Sequence, residues 1–412
     1  MKSTIPPDLP SGPARPQRSI FAIGAALSAI GIVAFLVGVA SEHPAQAWQA
    51  YLINFLLWSA IAQGAVLFSA VTHITKARWS GPLDGLSGAF AGFFPLSFGL
   101  FLLLFLGKVH VFPWMHEDLH GKEIWLNIPF LFGRDAVGLL ILYGVGFAFL
   151  AYALKLKLDP AQTAIGLRRL VRPAPPLDSG EANRIRSRMS LWAGLYIFAF
   201  AFVLSLIGFD LVMSMDPHWV STLFGAYHFV KAFYIGLGGL IILAAIVYQH
   251  QGKSTGLAPN HFHDIGKLFL AFCLMWADFF YVQLVVIWYG NLPEETHYVI
   301  LRTMLPPWRQ LAWTVFFMCF IIPFLVLINK SVKSKPRFMM GLCGMVIVGM
   351  WLEHLLLIGP ALNHGAAEVP LGITDGLIFV GFLGLMVLAV AYTLRLFPEL
   401  ISGSGKELHA GS

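Results

Sequence analysis

The sequence predicts an all-α polytopic membrane protein with about ten transmembrane helices, and three observations carry that reading. Of 412 residues 58% are hydrophobic and only 12% are charged, against roughly a quarter charged in soluble domains. The apolar residues gather into ten stretches of the roughly 20 residues that cross a bilayer as a helix. The basic residues concentrate in alternate loops, the pattern that fixes orientation in a membrane.

In chain order the stretches fall at 20–40, 48–71, 89–109, 130–154, 191–214, 222–248, 265–288, 310–328, 338–357 and 373–395. The first follows the Pro-rich MKSTIPPDLPSGPARPQRS and has no clear small-residue cleavage site, so it reads as a retained span. Five regions result: a tail at 1–19, spans 1–4 at 20–154, a basic linker at 155–190, spans 5–10 at 191–396 and a tail at 397–412. The linker is Pro-rich and charged, and suggests a division between a group of four spans and a group of six. Pro217, Trp219 and Ser221 indicate an interfacial turn before span 6, with Ser221 or Thr222 as its cap. Asn291 and Pro293 end span 7, and Glu294 and Glu295 open an acidic segment.

Loops sharing a side with the N-terminus hold Lys2, Arg15, Arg18, Lys76, Arg78, the linker cluster from Lys155 to Arg188, Lys253, Lys330, Lys333, Lys335, Arg337 and Lys406, whereas Lys122 and Arg302 lie opposite. Both termini are therefore expected in the cytoplasm. The net charge of +6 is explained by this topology, and no nucleic-acid partner is expected.

One short motif needs its context. His116-Glu117-Asp118-Leu119-His120 fits H-E-x-x-H, by which a helix offers two imidazoles to zinc. The loop that carries it is about twenty residues long and has no soluble domain beside it, too little for a zinc-protease cleft. Outer-side His110, His218, His297 and His364 could bind metal only adventitiously, so no metal site is expected. Cys273, Cys319 and Cys343 form no C-x-x-C or haem-attachment pattern and read as small buried residues. A b-type haem would need His on facing helices, for which His228 and His354 are the pair to consider.

Ionisable residues inside the spans are costly, at least about 2.5–3.5 kcal/mol each on insertion scales, and so pair or face a polar cavity. They are Arg134, Asp135, Asp210, His228, Lys231, Asp278, Glu353, His354 and Asp375. Two readings stay open. One is structural ion pairs, Arg134 with an acid and Lys231 with Asp210 or Asp278; the other is a hydrated cavity or proton route through the same groups.

Four stretches together resemble a known family: KEIWLNIPFLFGR at Lys122–Arg134, DLVMSMDPHWVSTLFGAY from Asp210, DIGKLFLAF from Asp264 and IWYGNLPEET from Ile287. They are similar to the ActF-type membrane subunit of alternative complex III, the second quinone-binding-type subunit of a quinol:cytochrome c oxidoreductase, within the NrfD-like polysulfide-reductase membrane anchors. The resemblance runs from span 2 to span 10 and implies two four-helix bundles with additional helices. It implies a bacterial cytoplasmic-membrane complex in which iron–sulfur and c-haem cytochrome subunits carry the electrons and a sister NrfD-like subunit holds the better-supported quinol pocket. This chain would then hold no redox centre, with a structural, proton-conducting or quinone-site role. The motif positions so matched are Lys122, Asn127, Arg134, Asp210, Asp216, His218, Trp219, Asp264, Lys267, Asn291, Glu294 and Glu295. Asp278 departs from the family pattern, which implies an aromatic residue there. Against this expectation stands a stand-alone proton-coupled transporter.

Overall fold

A computed structural model describes residues 18–116, 119, 121–158, 168–171, 179–363 and 367–401. It holds ten helices long and apolar enough to cross a membrane, so the chain is a multi-pass, all-helical membrane protein. Spans 1 to 4 are Arg18–Val39, Pro44–Ile74, Arg78–Val111 and Ile128–Lys157; spans 5 to 7 are Gly180–Met215, Phe224–Gln251 and Pro259–Gly290; spans 8 to 10 are Trp308–Ile328, Pro336–Leu362 and Ile373–Leu396. The side of the molecule that holds the 155–190 connection is called the linker side below, and the opposite one the far side.

Several spans run longer than the apolar stretches, because helix continues into polar ends once backbone hydrogen bonding has begun. The linker shrinks accordingly. Helix resumes at Ser179, and Arg168–Val171 forms one further turn within it. Arg168 on that turn is paired with Glu399 beyond span 10.

Spans 2, 3, 4 and 5 pack together, as do spans 6, 7, 8 and 9, while spans 1 and 10 pair beside spans 2 and 3. Spans 4 and 5 are close neighbours, so the linker joins two packed helices, and span 6 packs on both span 2 and span 5. Span 2 is the pivot, with 94% of its apolar stretch buried, whereas only 17% of span 7's is covered.

Close helix contact rests on small residues, since lipid provides no hydrophobic drive for helices to associate. Span 1 buries Gly24, Ser28, Gly31 and Ala34. A Cβ on Gly31 would lie 2.3 Å from Gly381 Cα in span 10. Spans 2 and 6 meet likewise, where a Cβ on Gly64 would lie 2.2 Å from the Ala232 carbonyl oxygen. Gly31→Leu is therefore expected to part spans 1 and 10, at about 1–3 kcal/mol for overpacking. A lowered detergent melting temperature, with Gly99→Leu as a control in open space, checks it.

Two spans depart from regular helix. Span 3 passes through a 3₁₀ stretch at Ala89–Phe93 just before Pro95, which brings Gly92 so near span 10 that a Cβ would lie 2.0 Å from Thr393 Oγ1. Span 8 contains a π-helical turn at Phe317–Ile321. Its cause is Pro323, which has no N–H for the carbonyl four residues back. That carbonyl, of Cys319, instead accepts from Tyr234 Oη at 3.1 Å and Cys273 Sγ at 3.5 Å.

The boundary residues act as local physics requires. Asn127 Oδ1 accepts from Phe130 N and caps span 4. Asn291 ends span 7 in the left-handed conformation at φ 47°, one of the conformations Asn tolerates. Span 6 begins at Phe224 without a side-chain cap, so the expectation of a Ser221 or Thr222 cap is corrected. The acidic segment after span 7 is a helix, Pro293–Thr303.

Candidate functional site

Helix packing gathers the ionisable residues into two separate buried groups. The first lies between spans 4 and 5. Arg134 grips Asp210 with two parallel hydrogen bonds, Nε to Oδ2 at 2.6 Å and Nη2 to Oδ1 at 2.7 Å, the fork geometry that only a guanidinium supplies. Arg134 Nη1 also donates to the Trp125 carbonyl at 2.9 Å, and its guanidinium lies 3.9 Å over the Trp125 ring. Trp125 Nε1 donates to Asp210 Oδ1 at 3.1 Å. The neighbouring Asp135 is fully buried beside Asp210, and neither of its oxygens has a donor among the described residues.

The second group joins spans 6, 7 and 9. Lys231 Nζ donates to Glu353 Oε2 at 2.8 Å, and both side chains are at most 2% exposed. Tyr227 Oη donates to Glu353 Oε1 and in turn accepts from Trp276 Nε1 at 3.1 Å. Next to Glu353, His354 bonds the Met350 carbonyl through Nδ1 at 2.7 Å. Its ring stands edge-on to that of His228, with centroids 6.4 Å apart. His354 Nε2 and His228 Nδ1 have no hydrogen-bond partner among the described residues. His228 can lie there because Gly208 of span 5 has no side chain: a Cβ would sit 2.8 Å from His228 Cβ. The imidazole thus reaches span 5 two residues from Asp210, between the two groups.

Arg134 pairs with an acid as expected, whereas the partner of Lys231 differs. Asp210 belongs to Arg134, and Lys231 takes Glu353, which is buried with it, rather than Asp210 or Asp278. Asp278 joins neither group and faces outward. Asp375 is also apart: Oδ2 accepts from Gly372 N at 2.8 Å and Gln46 Nε2 at 3.0 Å, which caps span 10.

A third polar chain contains no charged residue. Ser59 and Ser97 hydroxyls lie 2.6 Å apart, Ser97 and Tyr143 hydroxyls 2.8 Å, and Gln63 Nε2 donates to Tyr143 Oη at 2.8 Å. Tyr196 Oη donates to the Gln63 carbonyl at 2.9 Å. Spans 2, 3, 4 and 5 each contribute. Toward the linker side of the same bundle, Asp84 accepts from Thr72 at 2.7 Å and Ser80 at 2.8 Å. An inventory of ionisable side chains misses the hydroxyl chain; the signal is the row of uncharged polar residues in span 2, Gln49, Asn54, Ser59, Gln63 and Ser69, all buried.

On the far side two of the resembling stretches meet, and the helix that follows a third packs on them. Lys122 Nζ donates to the Pro217 carbonyl. Trp219 stacks flat on Tyr298 of the Pro293–Thr303 helix at 3.7 Å. Arg302, one turn on, lies 3.4 Å over the other participant in that stack, Tyr298, and bonds the Leu357 carbonyl at 2.9 Å. Asp216 stands 3.7 Å from Arg302. Burial pushes the Tyr298 hydroxyl up to about 12, so it stays a neutral platform for Trp219. Asp264 and Lys267 form an exposed pair at 2.9 Å on the linker side, and Glu295 is half-buried at the start of the 293–303 helix. His218 lies in the turn beside Trp219; the side chain of Glu294 is outside the described residues.

The three cysteines are buried and free. No group of three or more His, Cys, Asp or Glu placed to hold a metal occurs among the described residues. Pro113–His116 is a 3₁₀ turn, while Glu117, Asp118 and His120 of the H-E-x-x-H pattern lie outside the described residues, as does His364.

The fold and the site define a class: a multi-pass helical membrane protein with two buried ionisable groups inside its bundles. No protein-family model and no curated protein matches the chain.

Proposed function

We propose that this chain is an integral membrane subunit of a quinol:cytochrome c oxidoreductase of the alternative complex III type, in a bacterial cytoplasmic membrane, and that its own task is to conduct protons. Iron–sulfur and c-haem partner subunits would carry the electrons, with the main quinol pocket in a sister membrane subunit. The observation that carries the proposal is the Lys231–Glu353–Tyr227 group with His228 and His354 beside it. Lys231 and Tyr227 occupy the two Glu353 oxygens, while each imidazole keeps one ring nitrogen open to a water, as buried unpaired polar atoms do where space allows. Carboxylate, imidazole and phenol in series are the usual constituents of intramembrane proton relays. The hydroxyl chain through Ser59, Ser97 and Tyr143, with Asp84 on one side of it and Asp135 on the other, supports a second stretch of polar path. The meeting of two resembling stretches, Lys122–Arg134 and the one from Asp210, supports the family reading, because residues distant in sequence there form one surface.

The test uses the complex purified from native membranes through a tag on this chain. Lys231→Met/Glu353→Leu, which removes both buried charges of the pair, is expected to leave assembly and quinol oxidation in place. Proton release per electron into liposomes is expected to fall by roughly 10²-fold or more, as for loss of a proton-transfer group. Isolation without iron–sulfur or c-haem partners, or solute uptake by the chain alone, would overturn the reading in favour of a transporter.

A further inference from the structure

Asp278 lies at the bilayer midplane on the outside of the protein. Span 7 carries Lys267, 57% exposed, toward the linker side. Trp288 and Tyr289, 73% and 81% exposed, stand toward the far side. Long basic side chains and aromatic residues of this kind mark the two headgroup levels. Asp278 is eleven residues from Lys267 and ten from Trp288, about 16 Å and 15 Å along the axis at 1.5 Å per residue.

The carboxylate does not turn inward. Phe262, Ile265, Phe269, Cys273 and Trp276 form the buried face of span 7. Asp278 belongs to the opposite stripe with Leu274, Met275, Tyr281, Val282 and Val286, all exposed at helical spacing. It makes no hydrogen bond or ion pair with any described residue. A carboxylate facing lipid at this depth has neither water nor a donor, so it is found paired or within protein.

We infer that this face of span 7 docks against a transmembrane helix of a different chain, one that presents a Lys or Arg side chain at mid-depth to Asp278. Charge complementarity requires the cation, and the protein's own inventory excludes a second copy as its source. Among the described residues, the basic groups within the membrane are Arg134, His228, Lys231 and His354. Arg134 is held by Asp210 and only 11% exposed, and the other three are buried. A two-fold pairing through span 7 would also set carboxylate against carboxylate, since a two-fold interface presents the same patch from both sides. Tyr281, one turn from Asp278, adds a hydroxyl and a broad ring to the docking stripe. The inference holds for any membrane assembly and does not depend on quinol chemistry.

The test is photo-crosslinking of the full-length tagged chain in its native membrane. The crosslinker p-benzoylphenylalanine is placed at Tyr281, or at Leu274, and the adducts are identified by mass spectrometry. Adducts to one other polytopic chain are expected, at a helix bearing Lys or Arg at mid-depth. The same crosslinker at Phe198, 78% exposed on span 5, is the comparison site. Asp278→Ala is expected to lower recovery of that partner at least about tenfold, the range for truncating one side of a buried charge pair. Exchanging the Asp and the partner's base should restore it. Adducts only to lipid, only to a second copy, or to a helix without a basic residue would overturn the inference. A heterologous adduct from a complex that oxidises no quinol would leave it standing and defeat only the functional reading above.

Discussion

Lys231→Met with Glu353 intact is expected to destabilise the protein by about 3–5 kcal/mol, because it strands a carboxylate that is 2% exposed. Tyr227 would remain as its sole donor on the described side chains. The double variant Lys231→Met/Glu353→Leu removes both charges and should return to within about 1–2 kcal/mol of the parent, since buried ion pairs often exchange for apolar groups at little cost. Thermal unfolding in detergent, with all three proteins compared at one pH, measures this. A double variant as unstable as the single one would refute the assignment of Lys231 to Glu353. If it folds and assembles yet translocates no protons, the pair is needed for conduction rather than for holding the helices. Stability and proton release therefore answer different questions.

Arg134→Ala has the second large expected effect, about 3–5 kcal/mol for breaking a buried pair. Here the loss is compounded, because Asp210 and Asp135 lie side by side and Arg134 is the cation that offsets them. Arg134→Lys retains the charge but not the two-pronged hydrogen bond or the guanidinium's contact over the Trp125 ring, so its cost should lie between. Asp210→Asn placed on Arg134→Ala should recover part of the loss by removing the repulsion. Equal stability of Arg134→Ala and Arg134→Ala/Asp210→Asn would show that the carboxyls do not interact. Fluorescence of Trp125, released from the guanidinium, gives a local readout beside the global one.

The ten spans were legible because insertion depends on composition over about twenty residues, a property of consecutive sequence. Partners were not, because pairing depends on which helices touch. Lys231 meets a residue 122 positions later, and nothing near it in the sequence points to span 9. Asp210 lay close enough in the chain to be considered for Lys231, but its side chain turns to span 4. The Pro293–Thr303 helix was hidden in a short polar segment; Pro293 at its first position and Arg302 in its last turn were its end signals. The neighbours across the linker were hidden for a related reason. A Pro-rich, charged linker suggests a boundary, yet the chain uses this one to return between adjacent helices.

The glycine contact between spans 1 and 10 also sets an order of events during synthesis. Span 1 enters the membrane first of the ten, but the surface that receives Gly24 and Gly31 exists only after span 10 has been made, more than 340 residues later. Until then its Gly-lined face must wait in lipid or in the hands of the insertion machinery. Spans 2 to 9 can assemble around span 2 in the meantime. The pairing of spans 1 and 10 thus follows assembly of the spans between them, and a chain interrupted before Gly381 would leave span 1 with only its contacts to span 2 and a bare glycine face, open to capture by quality control.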